Sequence, residues 1–315
     1  VDHDSEFEVR FTVPAAARVA LAAAIARGAA TFERRSLAAR YLDTADRRLA
    51  RAGITWRLRR EGRRWIQTAK ATGRSALERL EHEAILPDGT HDASLHAGTE
   101  VGDRLLQTLA AAGAKGIDVE VRFQTRIRRE SRRIRTRGAL VEVCFDEGRL
   151  VANEASERVR EVEFELVSGA RSAMLGLAER WRRRFGLILE PRSKSERGDR
   201  LAEGEVHPPI RKACAPVYPR RAPVLVVFGA VVDECLDQIT RNAIGLVVGD
   251  RAQQVDHVHQ LRVGIRRLRS ALRSFAGWVP APPVGLVDEL RALFGALGES
   301  RDVAVLDTGV AATLA

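Results

Sequence analysis

In residues 6–13, EFEVRFTV, apolar and polar positions alternate one by one, the period of a strand with one buried face. Pro14 then opens an alanine-rich stretch to Ala30, good helix-forming composition, so the chain is predicted to begin strand then helix. From Tyr41 the alternation returns in short runs: ARYLDT, ITWRLRRE, RWIQTAK, ERLEHEAIL, DVEVRFQTRIRRE, ALVEVCFDEGRL and REVEFELVSG. Many are separated by Gly or Asp turn signals, which predicts a many-stranded antiparallel sheet. Residues 171–184 read as a second helix, and the apolar run within FGLILEPRSKSERG as one more strand.

The polar positions of these strands are charged in sets. In ITWRLRRE, Arg57 and Arg59 share a face opposite Trp56 and Leu58; in REVEFELV, Glu161, Glu163 and Glu165 line one face opposite Val162, Phe164 and Leu166. On a single strand such a face is commonly solvated. Repeated from strand to strand, with some faces acidic and others mostly basic, it favours a closed barrel with a charged lumen.

Residues 203–223 hold Pro208, Pro209, Pro216, Pro219 and Pro223, which disfavours a helix or a central strand and marks a boundary. Beyond it the period turns helical in VLVVFGAVVDECLDQITRNAIGLVVG, DRAQQVDHVHQLRVGIRRLRSALRSFAGW and VGLVDELRALFGALGESRDVAVL, three helices and the beginning of a fourth. The expected class is α+β: an antiparallel β-barrel with flanking helices over residues 1–203, a proline-rich linker over 204–223, and an all-α bundle over 224–315.

Composition narrows the partners. Lys and Arg number 52 against 42 acidic residues in 315, a formal charge of +10, which favours polyanions: nucleic acid, polyphosphate, nucleoside triphosphate or anionic lipid. Three cysteines, Cys144, Cys214 and Cys235, have no metal-site spacing and make no disulfide framework, which fits a reducing cytoplasm. The charged opening VDHDSEFEVR has no apolar signal core. The longest apolar stretch, Val224 to Val232, is about half of what crosses a bilayer, so no membrane partner is expected.

Glu6 and Glu8, two strand rises apart on one face, can share an oxygen-loving divalent cation if Asp146, Glu142, Glu161, Glu163 and Glu165 complete the shell. So much negative charge requires compensation by metal or by arginine. Arg57, Arg59, Lys70, Arg79, Arg122, Arg126 and Lys194 have the character to hold phosphates; a surface laced with cross-strand salt bridges is the alternative. Arg47, Arg48 and Arg51 in RRLARAG either steer an anion or keep a turn soluble.

Over residues 3 to 203 these segments resemble the CYTH, or triphosphate tunnel metalloenzyme, family. The family's opening Glu-x-Glu-x-Lys is matched by Glu6 and Glu8, with Arg10 in the lysine position. YLDTADRRL, WRLRRE, WIQTAK ending at Lys70, ERLEHE, the strand with Arg122, VEVCFDEG with Glu142 and Asp146, REVEFEL and SKSERG with Lys194 follow in the family's order. The resemblance implies an eight-stranded tunnel that binds triphosphate-bearing substrates with Mg²⁺ or Mn²⁺. Inorganic triphosphatases, thiamine triphosphatases, RNA triphosphatases and a class of adenylate cyclases share it. On this reading Glu6, Glu8, Lys70, Arg57 and Arg59 are the expected catalytic groups. Arg10, Arg79, Arg122, Arg126 and Lys194 would bind substrate, and Glu6, Glu8, Asp146, Glu161, Glu163 and Glu165 the metal. Arg10 departs from the family: a planar fork replaces a compact ammonium, which bears on turnover more than on anion binding.

In the helical part His259, Arg262, Arg266, Arg269 and Arg273 recur at spacings of three and four and so share a helix face, beside an apolar stripe of Leu261, Ile265, Leu268, Leu272 and Phe275. Six arginines face one acid, Asp256, between Arg251 and Phe275, so an external anion or partner acid is called for. VHQLRVGIRRLRSALRSF and ALGESRDVAVL, with Arg301 and Asp302, resemble the CHAD domain, a helical module associated with polyphosphate, over residues 224–315. The resemblance implies polyphosphate binding by His259, Arg262, Arg266, Arg269, Arg273 and Arg301. A complete CHAD domain is longer, so either the sequence is truncated or a second copy completes the bundle.

The expected function is metal-dependent hydrolysis of inorganic tripolyphosphate, with long-chain polyphosphate held by the helices, in the cytoplasm and at polyphosphate granules. The alternative is a non-catalytic polyphosphate-binding or targeting protein. A nucleic-acid partner stays open on charge alone, with no reading motif beside it.

Overall fold

The structure is a computed structural model that describes residues 5–27, 31–73, 78–110 and 119–298. The chain divides into two compact units, Val1–Val206 and His207–Ala315.

In the first unit the alternating runs form β1 (Ser5–Thr12), β2 (Glu33–Thr44), β3 (Ile54–Glu61), β4 (Arg64–Thr72), β5 (Glu78–Leu86), β6 (Val119–Thr136), β7 (Ala139–Ala152) and β8 (Ala155–Gly169). Neighbours run in the order β5-β4-β3-β2-β6-β7-β8-β1, all antiparallel, and β1 returns to β5 through Glu6↔Arg79. The sheet is therefore a closed eight-stranded antiparallel barrel, as the alternation predicts. Closure leaves no long unpaired edge. A two-residue strand, β9 (Ile188–Leu189), pairs with the end of β1 and is all that the apolar run of FGLILEP contributes.

The apolar strand faces point outward and are roofed by helices. α1 (Arg18–Ala26) and α4 (Arg171–Phe185) cover Val9, Phe11, Val143, Phe145, Val162 and Phe164. α1 stops at Ala26, short of the predicted Ala30; residues 28–30 lie outside those described. α2 (Arg48–Arg51) and α3 (Glu100–Ala110) cover Trp56, Leu58 and Ala69 with Leu49, Leu105 and Leu109. A third core lies on the inward faces, where Tyr41, Phe123, Ile127, Leu150 and Val159 meet Leu201 of α5 (Lys194–Ala202). Ser193 caps α5 by accepting from the Glu196 N–H at 3.0 Å, one half of a capping box. Gly198 lets α5 approach: a Cβ there would stand 2.1 Å from the Phe123 ring.

The second unit contains α6 (Val224–Val248), α7 (Gln254–Ser274) and a helix over residues 286–298, α8. α6 and α7 pack through apolar residues such as Ile244, Leu261, Ile265 and Leu268 around a buried polar layer. Within it His257 Nδ1 lies 3.0 Å from Asn242 Oδ1, and Gln238 Nε2 donates to Gln260 Oε1 at 3.0 Å. Gly245 makes room for the His257 ring. Among the described residues no helix is long and apolar enough to cross a membrane.

Candidate functional site

Ion pairs that skip a strand identify the barrel interior, because only a concave wall lets such groups meet. Lys70 of β4 reaches Glu6 of β1 at 2.6 Å, Arg59 of β3 reaches Glu83 of β5 at 3.2 Å, and Arg129 of β6 reaches Glu163 of β8 at 2.7 Å. The charged faces predicted from the alternation thus line one lumen.

One sector of that lumen is charge-matched. Lys194, the first residue of α5, places its ammonium 2.8 Å from Asp146, 3.0 Å from Glu161 and 2.8 Å from Glu163. Arg129 makes two bonds of 2.7 Å to Asp146, Arg10 donates to Glu163 at 2.9 Å, and Arg197 donates to Glu161 and to Glu157. Burial alone would raise the Glu161 carboxyl; Lys194, Arg197 and Arg10 outweigh it and hold it at about 2. Glu163 is held well below the ordinary range against the same burial by Lys194, Arg129 and Arg10.

A second sector is acidic and under-compensated. Glu8 and Glu142 stand directly across from Glu165 in the ladder. Lys70 serves both Glu6 and Glu81, at 2.6 and 2.7 Å. Burial, with Glu6 and Glu142 nearby, pushes the Glu165 carboxyl up to about 8; burial, with Glu81, raises Glu6 as well. Glu8 is tied to Arg10 at 2.6 Å.

The third sector is basic. Arg57 donates to Thr68 Oγ1 at 3.2 Å, and among the described residues its buried Nε has no hydrogen-bond partner. Arg59 lies within 2.7 Å of Glu61 and 3.2 Å of Glu83, yet burial and the charges of Arg57 and Arg129 push its guanidinium below its usual value. Crowded, partly desolvated guanidiniums with a spare donor are suited to an oxyanion.

The predicted residues therefore separate. Glu6, Glu8, Arg10, Arg57, Arg59, Lys70, Asp146, Glu161, Glu163, Glu165 and Lys194 converge in the lumen. Arg79 lies opposite Glu6 and 3.3 Å from Thr72 Oγ1. Arg122 sits where the β2–β6 register slips, and it pairs with Glu120 and with Glu203 just past α5. Arg126 does not line the lumen: it lies between the buried, inward Thr125 and Ile127 and is exposed on the outer wall. Parity puts Arg129 inside instead, and sequence reasoning passed over it along with Glu81, Glu83 and Arg197. Arg197 was signalled by its i+3 spacing from Lys194 behind the Ser193-x-x-Glu196 cap. Cys144 shares the inward face, but burial pushes its thiol up, so it holds its proton.

The proposed metal set also divides. Asp146, Glu161 and Glu163 each carry two or three cationic partners, whereas Glu6 shares Lys70 with Glu81, Glu8 pairs with Arg10, and Glu165 stands across from Glu8 and Glu142, so these three form the under-compensated sector. Among the described residues no three His, Cys, Asp or Glu side chains form a ready-made metal centre. The Glu6, Glu8 and Glu165 carboxylates suit a hard divalent cation by donor type, and the raised carboxyls show charge that such a cation would relieve.

The CYTH domain family matches residues 4–198, and the CHAD domain family matches residues 230–315. The chain belongs to the CYTH family. Its members are triphosphate tunnel enzymes, triphosphatases or cyclases, and generally metal-dependent. Solved structures similar to this CYTH chain include a candidate adenylyl cyclase from Hippeastrum described as having a dominant triphosphatase activity. It is 16% identical, with 64% of this chain and 98% of that one covered and a TM-score of 0.46. Another is a candidate adenylate cyclase from Bacillus halodurans, at 16% identity, 60% and 94% coverage and a TM-score of 0.42. A third is the PH1819 protein of Pyrococcus horikoshii, at 17% identity, 60% and 97% coverage and a TM-score of 0.36.

In the CHAD part, His259, Arg266 and Arg273 are exposed on α7. Arg262 and Arg269 are half-buried instead, their guanidiniums 4.5 and 5.9 Å from the Phe294 ring centroid of α8. Arg301 lies outside the described residues.

Proposed function

We propose that this protein hydrolyses inorganic tripolyphosphate in the barrel lumen with Mg²⁺ or Mn²⁺, and that its helical unit holds long-chain polyphosphate. The observation that carries the reading is the split of one lumen into a basic sector around Arg57 and Arg59 and an under-compensated acidic sector around Glu6, Glu8 and Glu165. Phosphate oxygens suit the first sector and a divalent cation the second. When bound, that cation would polarise phosphoryl oxygens and neutralise charge developing in phosphoryl transfer.

The chain's own groups do the rest. Arg57 and Arg59 clamp phosphate oxygens, and Lys70, between Glu6 and Glu81, adds a cation at the border of the two sectors. Arg10 and Lys194 fix the Glu163 carboxylate, so the wall behind the substrate keeps its shape. Tripolyphosphate is preferred to a nucleotide because no base-binding motif accompanies the phosphate-binding groups in the sequence.

Phosphate release from tripolyphosphate, ATP and thiamine triphosphate, each with Mg²⁺, Mn²⁺ or EDTA, tests this. Metal-dependent release, fastest from tripolyphosphate and lost in Glu8→Gln, is the expected outcome. Tight binding without release from any of the three would make the protein a polyphosphate-recognition module.

A further inference from the structure

The outer wall of the barrel carries a feature that the lumen chemistry does not use. At one level of the ladder, Arg60 of β3 pairs with Ala38 of β2, Ala38 with Arg126 of β6, Arg126 with Arg149 of β7, and Arg149 with Arg158 of β8. All five residues are exposed, so no helix covers this row. It spans four inter-strand steps of about 4.8 Å, or about 19 Å. Among the described residues Arg126, Arg149 and Arg158 have no carboxylate partner, and Arg149 donates to Ser156 Oγ at 2.9 Å. The nearest acid on the same outer face of these strands, Glu147, is engaged by Arg18 and Arg128. Like charges directly opposite each other in a ladder are destabilising, so the folded wall bears a cost that a bound anion would offset.

We propose that this arginine row is a docking track for a linear phosphate polymer, inorganic polyphosphate, separate from the lumen and from the α7 arginines. The choice of ligand rests on the phosphate-chain chemistry proposed above; the row itself does not. Guanidiniums on three successive strands suit a polymer charged at every unit, with nothing between its phosphates. A nucleic-acid strand interposes sugar and base and calls for free stacking faces. The aromatic ring beside the row, Trp65, already has Arg40 and Arg60 over it, with guanidinium carbons 5.5 and 6.0 Å from its centroid.

The test is binding of labelled long-chain polyphosphate to the full chain, across a salt series. The proteins compared are the parent, the triple variant Arg126→Gln, Arg149→Gln, Arg158→Gln, and the same triple in an Arg266→Glu background. The triple variant is expected to bind about tenfold more weakly. Its slope of log K against log salt should fall by about 2, for three phosphate contacts at roughly 0.7 each. The same drop is expected with Arg266→Glu present, and the ligand-free triple variant should melt no lower than the parent. Unchanged affinity and slope in both backgrounds would overturn the track, even where the lumen hydrolyses tripolyphosphate. A single-stranded RNA of equal phosphate number, bound as tightly and lost equally in the triple variant, would overturn polyphosphate as the ligand. Failure of turnover with the drop intact would refute the hydrolase reading alone.

Discussion

Lys194 and Glu165 mark opposite electrostatic solutions within one lumen. Lys194 contacts three buried carboxylates, so Lys194→Met should cost about 3–5 kcal/mol in denaturant unfolding, the range for leaving buried charge unpaired. The acid limb should move too. Glu161 sits at about 2, below its unfolded value, so its contribution is present above the unfolded pKa and fades as pH falls from about 4.5 through 2. Removing Lys194 should make acid unfolding begin at higher pH; an unmoved acid limb would contradict the ion-pair assignment. Glu165 has the opposite sign. Its folded value of about 8 lies above the unfolded one, so its contribution is present below about 4.5 and is lost as pH rises through 8. Thermal melts of Glu165→Gln should therefore show gained stability at pH 9 relative to the parent and little change at pH 4. Mg²⁺ or Mn²⁺ should stabilise the parent more at pH 9 than at pH 6, with proton release on binding, and stabilise Glu165→Gln less. A metal effect equal in both proteins would remove Glu165 from the cation sector.

At the scale of elements, α5 is the piece on which the lumen depends, since it delivers Lys194, Arg197 and Leu201 together. Alanine inside a helix is ordinarily favoured over glycine by about 1 kcal/mol, but Gly198 meets the Phe123 ring. Gly198→Ala should instead destabilise by about 1–3 kcal/mol through overpacking, and Phe123→Leu should restore part of the loss. A stabilised Gly198→Ala would show that α5 does not pack as described. The strands were legible because a period of two survives in a one-sided sheet, and the charged faces named the lumen. What escaped has physical reasons. α3 is a half-polar helix whose Val101, Leu105 and Leu109 sit four residues apart among strand-like runs. Arg126 and Arg129 differ only in parity within an arginine-rich strand, and the slip between Tyr41 and Leu42 hides that parity from composition. Which acids would be neutralised was decided by α5, whose side chains arrive from sequence-distant positions.

At the scale of the whole chain, charge separates tasks. In the CHAD part, Arg262 and Arg269 are engaged with Phe294, so replacing them would disturb α8 packing as well as charge. Arg266 is exposed and has no carboxylate partner among the described residues, which makes it the cleaner probe. Arg266→Glu reverses one charge on a helix already crowded with arginines, so it should relieve repulsion and leave folding intact or slightly improved. If the helical unit holds polyphosphate, this variant should weaken long-chain binding and lower the salt slope by about 1, while tripolyphosphate turnover stays within twofold of the parent. Turnover lost in step with binding would mean that the two units act on one anion, and the division of labour between tunnel and helices would fall. Retained binding with an unchanged slope would instead remove the α7 arginines from polymer recognition and leave the phosphate chemistry to the barrel.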